Sequence, residues 1–131
     1  MPERLSTGQE ECSDSGIIRF SPLSCLEAFI PEWGLMVWKD ERGETELSPT
    51  QSRILQTLID DLIHWHSTDD LETRIWGVSL GTNLLAVNIR SIRMKIEPDP
   101  HNPIYLLSKP RFGYRFNQYA ETEIIGTEED L

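Results

Sequence analysis

Leu85, Ile89, Ile92 and Ile96 recur at steps of four, three and four, which is the spacing of one buried face of a helix running from Leu84 to Ile96. At about 100° per residue, Asn83, Val87, Arg90 and Met94 point away from that stripe. Ser91 lies beside them, and Arg93 and Lys95 sit on the flanks. A helix with an aliphatic inner side and an outer side of Asn, Ser and cations suits a DNA major groove; it also suits an ordinary wet surface.

The pattern upstream is different. Ile17, Ile18 and Phe20, then Leu23, Leu26, Phe29 and Ile30, then Leu35 to Trp38 are punctuated by Pro22, Pro31 and Gly34 and end in the turn residues Asp40 to Gly43. The punctuation leaves no room for several helical turns, so three or so short antiparallel strands are expected, with Glu44 to Leu47 as the last. Ser48-Pro49 opens a helix, Ser as cap and Pro at the first position, and Ile54, Leu55, Leu58, Ile59, Leu62 and Trp65 form its apolar stripe. Ser67 caps a second helix, with Asp70 in its first turn, Leu71 and Ile75 facing inward and Gly77 as its stop. Val78 to Gly81 is a loop, and Thr82 is expected to cap the third helix, which ends near Glu97 ahead of Pro98. Tyr105 to Leu107 reads as a strand, Lys109 to Arg111 as a turn and Phe112 to Phe116 as the return strand. The order of small sheet, three helices and hairpin is an α+β winged helix-turn-helix arrangement.

These elements fit one domain over residues 16–117, with the sheet at 16–47, the helices at 48–97 and the hairpin wing at 104–116. Residues 1–15 read as a polar, disordered tail, and 118–131 as a solvated acidic tail. At 131 residues the chain holds one ordinary core and no second domain.

Net charge alters the picture. The formal value of −10 taken whole opposes a nucleic-acid partner. Its distribution does not: residues 1–83 carry six Arg/Lys and fifteen Asp/Glu, 84–116 carry six and two, and 117–131 carry none and five. All the excess positive charge lies in the third helix and wing, so any DNA binding is expected to depend steeply on salt. Two cysteines, Cys12 and Cys25, support neither a disulfide scaffold nor a zinc site. No apolar run is long enough to span a bilayer and the amino terminus lacks a signal core, so a reducing cytoplasm is the expected setting.

Candidate chemistry is sparse. His64 and His66 are spaced wrongly for one helix face and His101 is remote, so no metal site is expected. No nucleophile–base pairing or Gly-rich phosphate loop occurs, and no enzyme activity or cofactor is expected. Trp65, Trp76 and Tyr114 are assigned to the core, whereas either Trp33 or Trp38 of the sheet could be exposed to a partner.

From Leu47 to Phe116 the sequence resembles the effector domain of OmpR/PhoB-type response regulators. The family's Leu-Thr-Pro opening matches Leu47-Ser48-Pro49-Thr50, and its second helix matches Ser67, Leu71, Ile75, Trp76 and Gly77. The recognition helix matches Asn83 to Ile96, retaining Val87, Ile89, Arg90, Arg93 and Lys95; Pro100, Asn102-Pro103 and Tyr105 match the linker, and Ser108 to Phe116 a Gly-Tyr-Arg-Phe wing. Departures fall on the DNA side. The family's leading Arg and Thr are Asn83 and Leu84, its Asp and His are Ala86 and Asn88, the second Arg of its Arg-Arg pair is Ser91, and a wing Arg is Pro110. No receiver domain of the family's kind is expected within these 131 residues.

The resemblance implies a regulator that binds double-stranded DNA, with its third helix in the major groove and its wing on the backbone. Thr82, Asn83, Val87, Arg90, Ser91, Arg93, Met94, Lys95, Lys109 and Arg111 are the candidate DNA-binding residues. Arg90 leads them, while Arg93 could instead pack its stem and pair with Glu97. Family members also touch RNA polymerase through the loop that corresponds here to Val78, Ser79, Leu80 and Gly81, and pair head to tail on DNA. The alternative is a protein-interaction module that binds polymerase or another regulator through that loop and the altered helix face, including Leu84.

Overall fold

The computed structural model describes residues 16–121. The tail assigned to 1–15 and the acidic stretch beyond Glu121 lie outside the described residues. Four strands, Ile18–Arg19 (β1), Leu26–Ile30 (β2), Leu35–Trp38 (β3) and Glu44–Glu46 (β4), form an antiparallel sheet in sequence order. Phe29 stands between Ile18 and Met36 in the register. Alternation sets which side is buried: Met36 and Trp38 face the core, and Leu35 and Val37 are half-exposed. Trp38 meets Tyr105 edge-on at 5.4 Å and donates Nε1–H to Thr45. Trp33, in the short 3₁₀ turn Pro31–Trp33, is 70% exposed.

The first helix, Pro49–Asp60 (α1), starts with a full capping box: Ser48 Oγ accepts from Gln51 N–H, and Gln51 Oε1 accepts from Ser48 N–H. It is shorter than the apolar stripe suggests. Asp61 leaves the helical conformation, and its carboxylate accepts from the amides of Ile63 and His64. A pair of acidic residues at the negative end of a helix favours such a turn over another helical turn. Leu62 therefore packs against the core from the connecting loop, whereas Trp65, assigned to the core from sequence, is half-buried outside it and lies beside the wing cations Lys109 and Arg115.

The second helix, Thr68–Trp76 (α2), is capped by Ser67 and stopped by Gly77, as the sequence indicates. Trp76 is only partly buried. The third, Leu84–Ile96 (α3), begins one residue later than a Thr82 cap implies; Asn83 occupies the cap position without a side-chain capping bond, and Thr82 Oγ1 accepts from Leu84 N–H at 3.3 Å. Thirteen residues would be marginally helical alone. Burial of Leu85, Ile89, Ile92 and Ile96, worth about 1.5–3 kcal/mol each, supplies the stability. The outer face of α3 is thus not needed for folding.

The wing strands Leu106–Lys109 (β5) and Gly113–Phe116 (β6) pair in register from Leu106↔Phe116 to Lys109↔Gly113. Phe116 lies between Tyr105 and Phe20 at centroid distances of 6.1 and 6.0 Å, so the wing root closes the core against the N-terminal sheet.

Beyond the wing the expectation of a solvated tail from residue 118 is corrected. Gln118 accepts from Ser21 N–H and its carbonyl from the Ser24 hydroxyl, Ala120 is buried, and Glu121 takes hydrogen bonds from Arg42 and the Tyr105 hydroxyl. Residues 118–121 thus dock on the sheet. Arg42 also grips Asp40, holding that carboxyl down at about 2; burial and the Glu121 carboxylate push the Tyr105 hydroxyl well above its usual range.

Candidate nucleic-acid interface

Three of the contacts that hold the wing against the helices follow from no local pattern. His66, between α1 and α2, forms a two-bond bridge with Tyr114: His66 N–H to the Tyr114 carbonyl at 2.8 Å and Tyr114 N–H to the His66 carbonyl at 2.9 Å. The His66 ring is buried with Nε2 at 2.9 Å from the Asp61 carbonyl, so that nitrogen carries the proton. Next to the bridge, Gly113 runs so close to His66 that a Cβ would stand 1.9 Å from its carbonyl oxygen.

The other two contacts come from α3. Arg93 donates Nε–H and Nη2–H to the Leu106 carbonyl at 3.2 and 2.9 Å. The buried Glu97 carboxylate accepts from the amides of Ile104, Tyr105 and Leu106 at 2.7 to 3.1 Å. Both backbone groups of Leu106 are therefore gripped by side chains one helical turn apart. The Arg93–Glu97 pairing considered from sequence does not form, because each side chain has a better-placed backbone partner in the wing.

Two of the candidate DNA-binding residues also make contacts within the fold. Arg93 is half-buried and committed to the wing root. Lys95 lies about 140° around the helix from Arg90; its ammonium donates to Gln51 Oε1 at 2.8 Å, and it borders a hollow with Trp38, Asp40, Arg42 and Glu121. Both cations reach partners within the fold because other elements approach the two flanks of α3.

The outer face that remains carries Asn83, Leu84, Val87, Arg90, Ser91 and Met94, of which Ser91 is half-buried and the rest exposed. Arg90, Arg93 and Met94 border an open recess of about 620 Å³ with Pro100, His101, Pro103 and Ser108. At the wing tip, Lys109 and Arg111 border a second recess of about 380 Å³ with Ser67, Thr68 and Tyr114. Lys109 Nζ sits 4.6 Å from the centre of the Phe112 ring. Arg115, which the sequence reading left out of the site, donates to the Leu62 carbonyl at 2.8 Å and lies 5.8 Å over Trp65. Its alternation in the wing puts it on the solvent side, a signal that was available beforehand.

The charge pattern divides cleanly. Away from this surface, Arg19, Arg42 and Arg74 are paired with Glu27, Asp40 and Asp70. Lys39 and Arg53 donate to backbone carbonyls instead. Among the described residues, Arg90, Lys109 and Arg111 are the Arg and Lys side chains that make neither a hydrogen bond nor an ion pair, and α3 itself contains no Asp or Glu. Excess positive charge is thus concentrated, unneutralised, on the outer face of α3 and the wing tip.

The loop between α2 and α3 is also pinned. Buried Glu72 accepts from Leu80 N–H at 2.9 Å and from the Ser79 hydroxyl, which reaches Asp69 as well. Val78 projects from it, 58% exposed, while Leu84 lies on the α3 face rather than with the loop. No group of three or more His, Cys, Asp or Glu among the described residues is placed to hold a metal. No described helix is long and apolar enough to cross a membrane.

Residues 42–116 match the family described as "Transcriptional regulatory protein, C terminal". The chain belongs to this family. Its OmpR/PhoB-type effector architecture is the one seen in the Klebsiella pneumoniae RstA DNA-binding domain, solved in complex with the RstA box: TM-score 0.66 and 19% identity, covering 78% of this chain and 97% of that one. Among curated relatives, the transcriptional regulatory protein YrkP of Bacillus subtilis is 35% identical over 83 residues, which is 61% of this chain and 36% of YrkP. SphR of Synechococcus elongatus, an alkaline phosphatase synthesis transcriptional regulatory protein, is 40% identical over 78 residues, 58% of this chain and 30% of SphR. The effector domain therefore spans about a third of the length of these relatives.

Proposed function

We propose that this chain binds duplex DNA as the effector part of a cytoplasmic transcription regulator, with α3 in the major groove and the wing tip on the adjacent backbone. The observation that carries this is the set of cations left without a hydrogen bond or ion pair among the described residues, Arg90, Lys109 and Arg111, around two recesses that meet at Ser108 in a molecule that is otherwise acidic. Membership of the family and the complex of the RstA domain with the RstA box support the same reading.

In it, Arg90 reaches a base edge, and Lys109 and Arg111 meet phosphates. The first amides of α3, left without a side-chain cap by Asn83, attract a phosphate together with Thr82, while Val87, Ser91 and Met94 face the groove floor. Val78 to Gly81, held out by Glu72, is the surface offered to RNA polymerase. Arg93 and Lys95 act through the fold.

Salt titration of binding to a selected and a random duplex tests this. With three phosphates contacted, log K should fall with log salt at a slope of about −3. Arg90→Ala should weaken the selected site by about 1–3 kcal/mol and the random one much less. A flat salt response or no binding at low salt would overturn the proposal in favour of a protein partner.

Arg111 provides a second check. Its backbone is left-handed, with φ of 75°, which costs an L-residue about 1–2 kcal/mol. Arg111→Gly is expected to hold or raise the urea midpoint of unfolding, yet to reduce the salt slope by about 0.9. Stability and DNA binding should move in opposite directions if the arginine is retained for contact.

A further inference from the structure

Resting on the DNA-binding role above, we propose that the outer face of α3 selects a duplex by a row of thymine methyl groups around one guanine. Val87 and Met94 meet the methyls and Arg90 reads the guanine.

The face is unusual in being apolar where it is most exposed. Leu84, Val87 and Met94 are 41%, 51% and 63% exposed. At about 100° per residue they form a second stripe on the side away from Leu85, Ile89, Ile92 and Ile96. The hydrogen-bonding groups on this side are few. Asn88 has turned its amide back to the Leu84 carbonyl at 3.0 Å, and Ser91 is half-buried. Arg90 is the one cation of α3 not engaged with another described residue, since Arg93 and Lys95 are held by Leu106 and Gln51. With no carboxylate in α3 and Lys109 and Arg111 around the recess that adjoins that of Arg90 and Met94 at Ser108, the surface suits an anionic occupant that is itself apolar on its contacting edge. The major-groove edge of A·T pairs meets both conditions: phosphates flank it and each thymine projects a C5 methyl.

Spacing agrees. Val87 and Met94 are seven residues apart, about 10.5 Å along the helix, which corresponds to about three base-pair steps. Arg90 lies between them, within reach of one O6/N7 pair. A cytosine amino group facing Val87 or Met94 would lose its water without gaining an acceptor, so G·C pairs are disfavoured at those two positions.

The test begins with a site selected from random duplexes. Its affinity is compared with that of the same duplex carrying deoxyuridine for thymidine, which removes the C5 methyl and keeps every hydrogen-bonding group. The unaltered protein should bind the uracil duplex about tenfold more weakly, from three- to fourfold for each of two methyls. Val87→Ala with Met94→Ala should abolish the thymine–uracil difference, whereas Arg90→Ala should weaken both duplexes and preserve it. Both apolar residues are exposed, and the uracil arm alters no protein atom, so misfolding cannot imitate the result. Equal affinity for the two duplexes, or selected sites with G·C opposite Val87 and Met94, overturns this inference and leaves the DNA-binding role standing. Failure to bind any duplex at low salt overturns both and assigns the apolar face to a protein partner.

Discussion

Replacing Gly113 by Ala is expected to detach the wing, costing about 4 kcal/mol or more, a large fraction of what holds a domain of this size together. Two effects combine. Gly113 has φ of +111°, a conformation L side chains rarely adopt, and its added Cβ would lie 1.9 Å from the His66 carbonyl oxygen and 2.8 Å from Ser67 Cα. Those are backbone atoms and cannot rotate aside. The strand would have to lift, breaking both bonds of the His66–Tyr114 bridge. Gly77→Ala is the control: its φ is +85°, but nothing lies within 4 Å of its added Cβ, so only the conformational cost of about 1 kcal/mol applies. Urea unfolding of the two variants measures the difference. Similar losses would show that backbone conformation alone, and not the close approach of wing to helix, sets the requirement for glycine.

Glu97→Ala is expected to cost about 3–5 kcal/mol and to free the wing root. One buried carboxylate accepts from three successive backbone amides, Ile104, Tyr105 and Leu106. Hydrogen bonds to a charged acceptor are worth about 1.5–3 kcal/mol each and do not add fully. Removing the carboxylate strands the buried Tyr105 and Leu106 donors, which no other described group satisfies. Glu97→Gln keeps one acceptor oxygen and should lose about half as much. Hydrogen exchange reads the site directly: the amides of Ile104 to Leu106 should lose protection ahead of those of α1. If all amides exchanged together in Glu97→Ala, the carboxylate would be supporting the whole domain and not the wing. Because Arg93 holds the other side of Leu106, Arg93→Ala should produce a milder version of the same local loosening.

What the sequence determined by itself is local and periodic. The buried stripe of α3, the Ser48-Pro49 and Ser67 caps, the Gly77 stop and the alternation of Met36 and Trp38 are written in the spacing of neighbouring residues, because helices and strands repeat every few positions. The same holds for the concentration of positive charge in residues 84–116 and for the exposure of Arg90 opposite the stripe. Tertiary structure decided which cations remained available. Arg90, Arg93 and Lys95 look alike in composition, yet the wing strand arrived on one flank of α3 and the start of α1 on the other, giving Arg93 and Lys95 hydrogen-bond partners that Arg90 lacks among the described residues. Glu97 found donors in the wing and not its helical neighbour. Gln118 and Glu121 found partners 97 and 79 residues upstream, which no reading of an acidic, polar stretch contains. Hydrogen-bonding groups are satisfied by whatever the fold brings near, and only the packed chain specifies what that is.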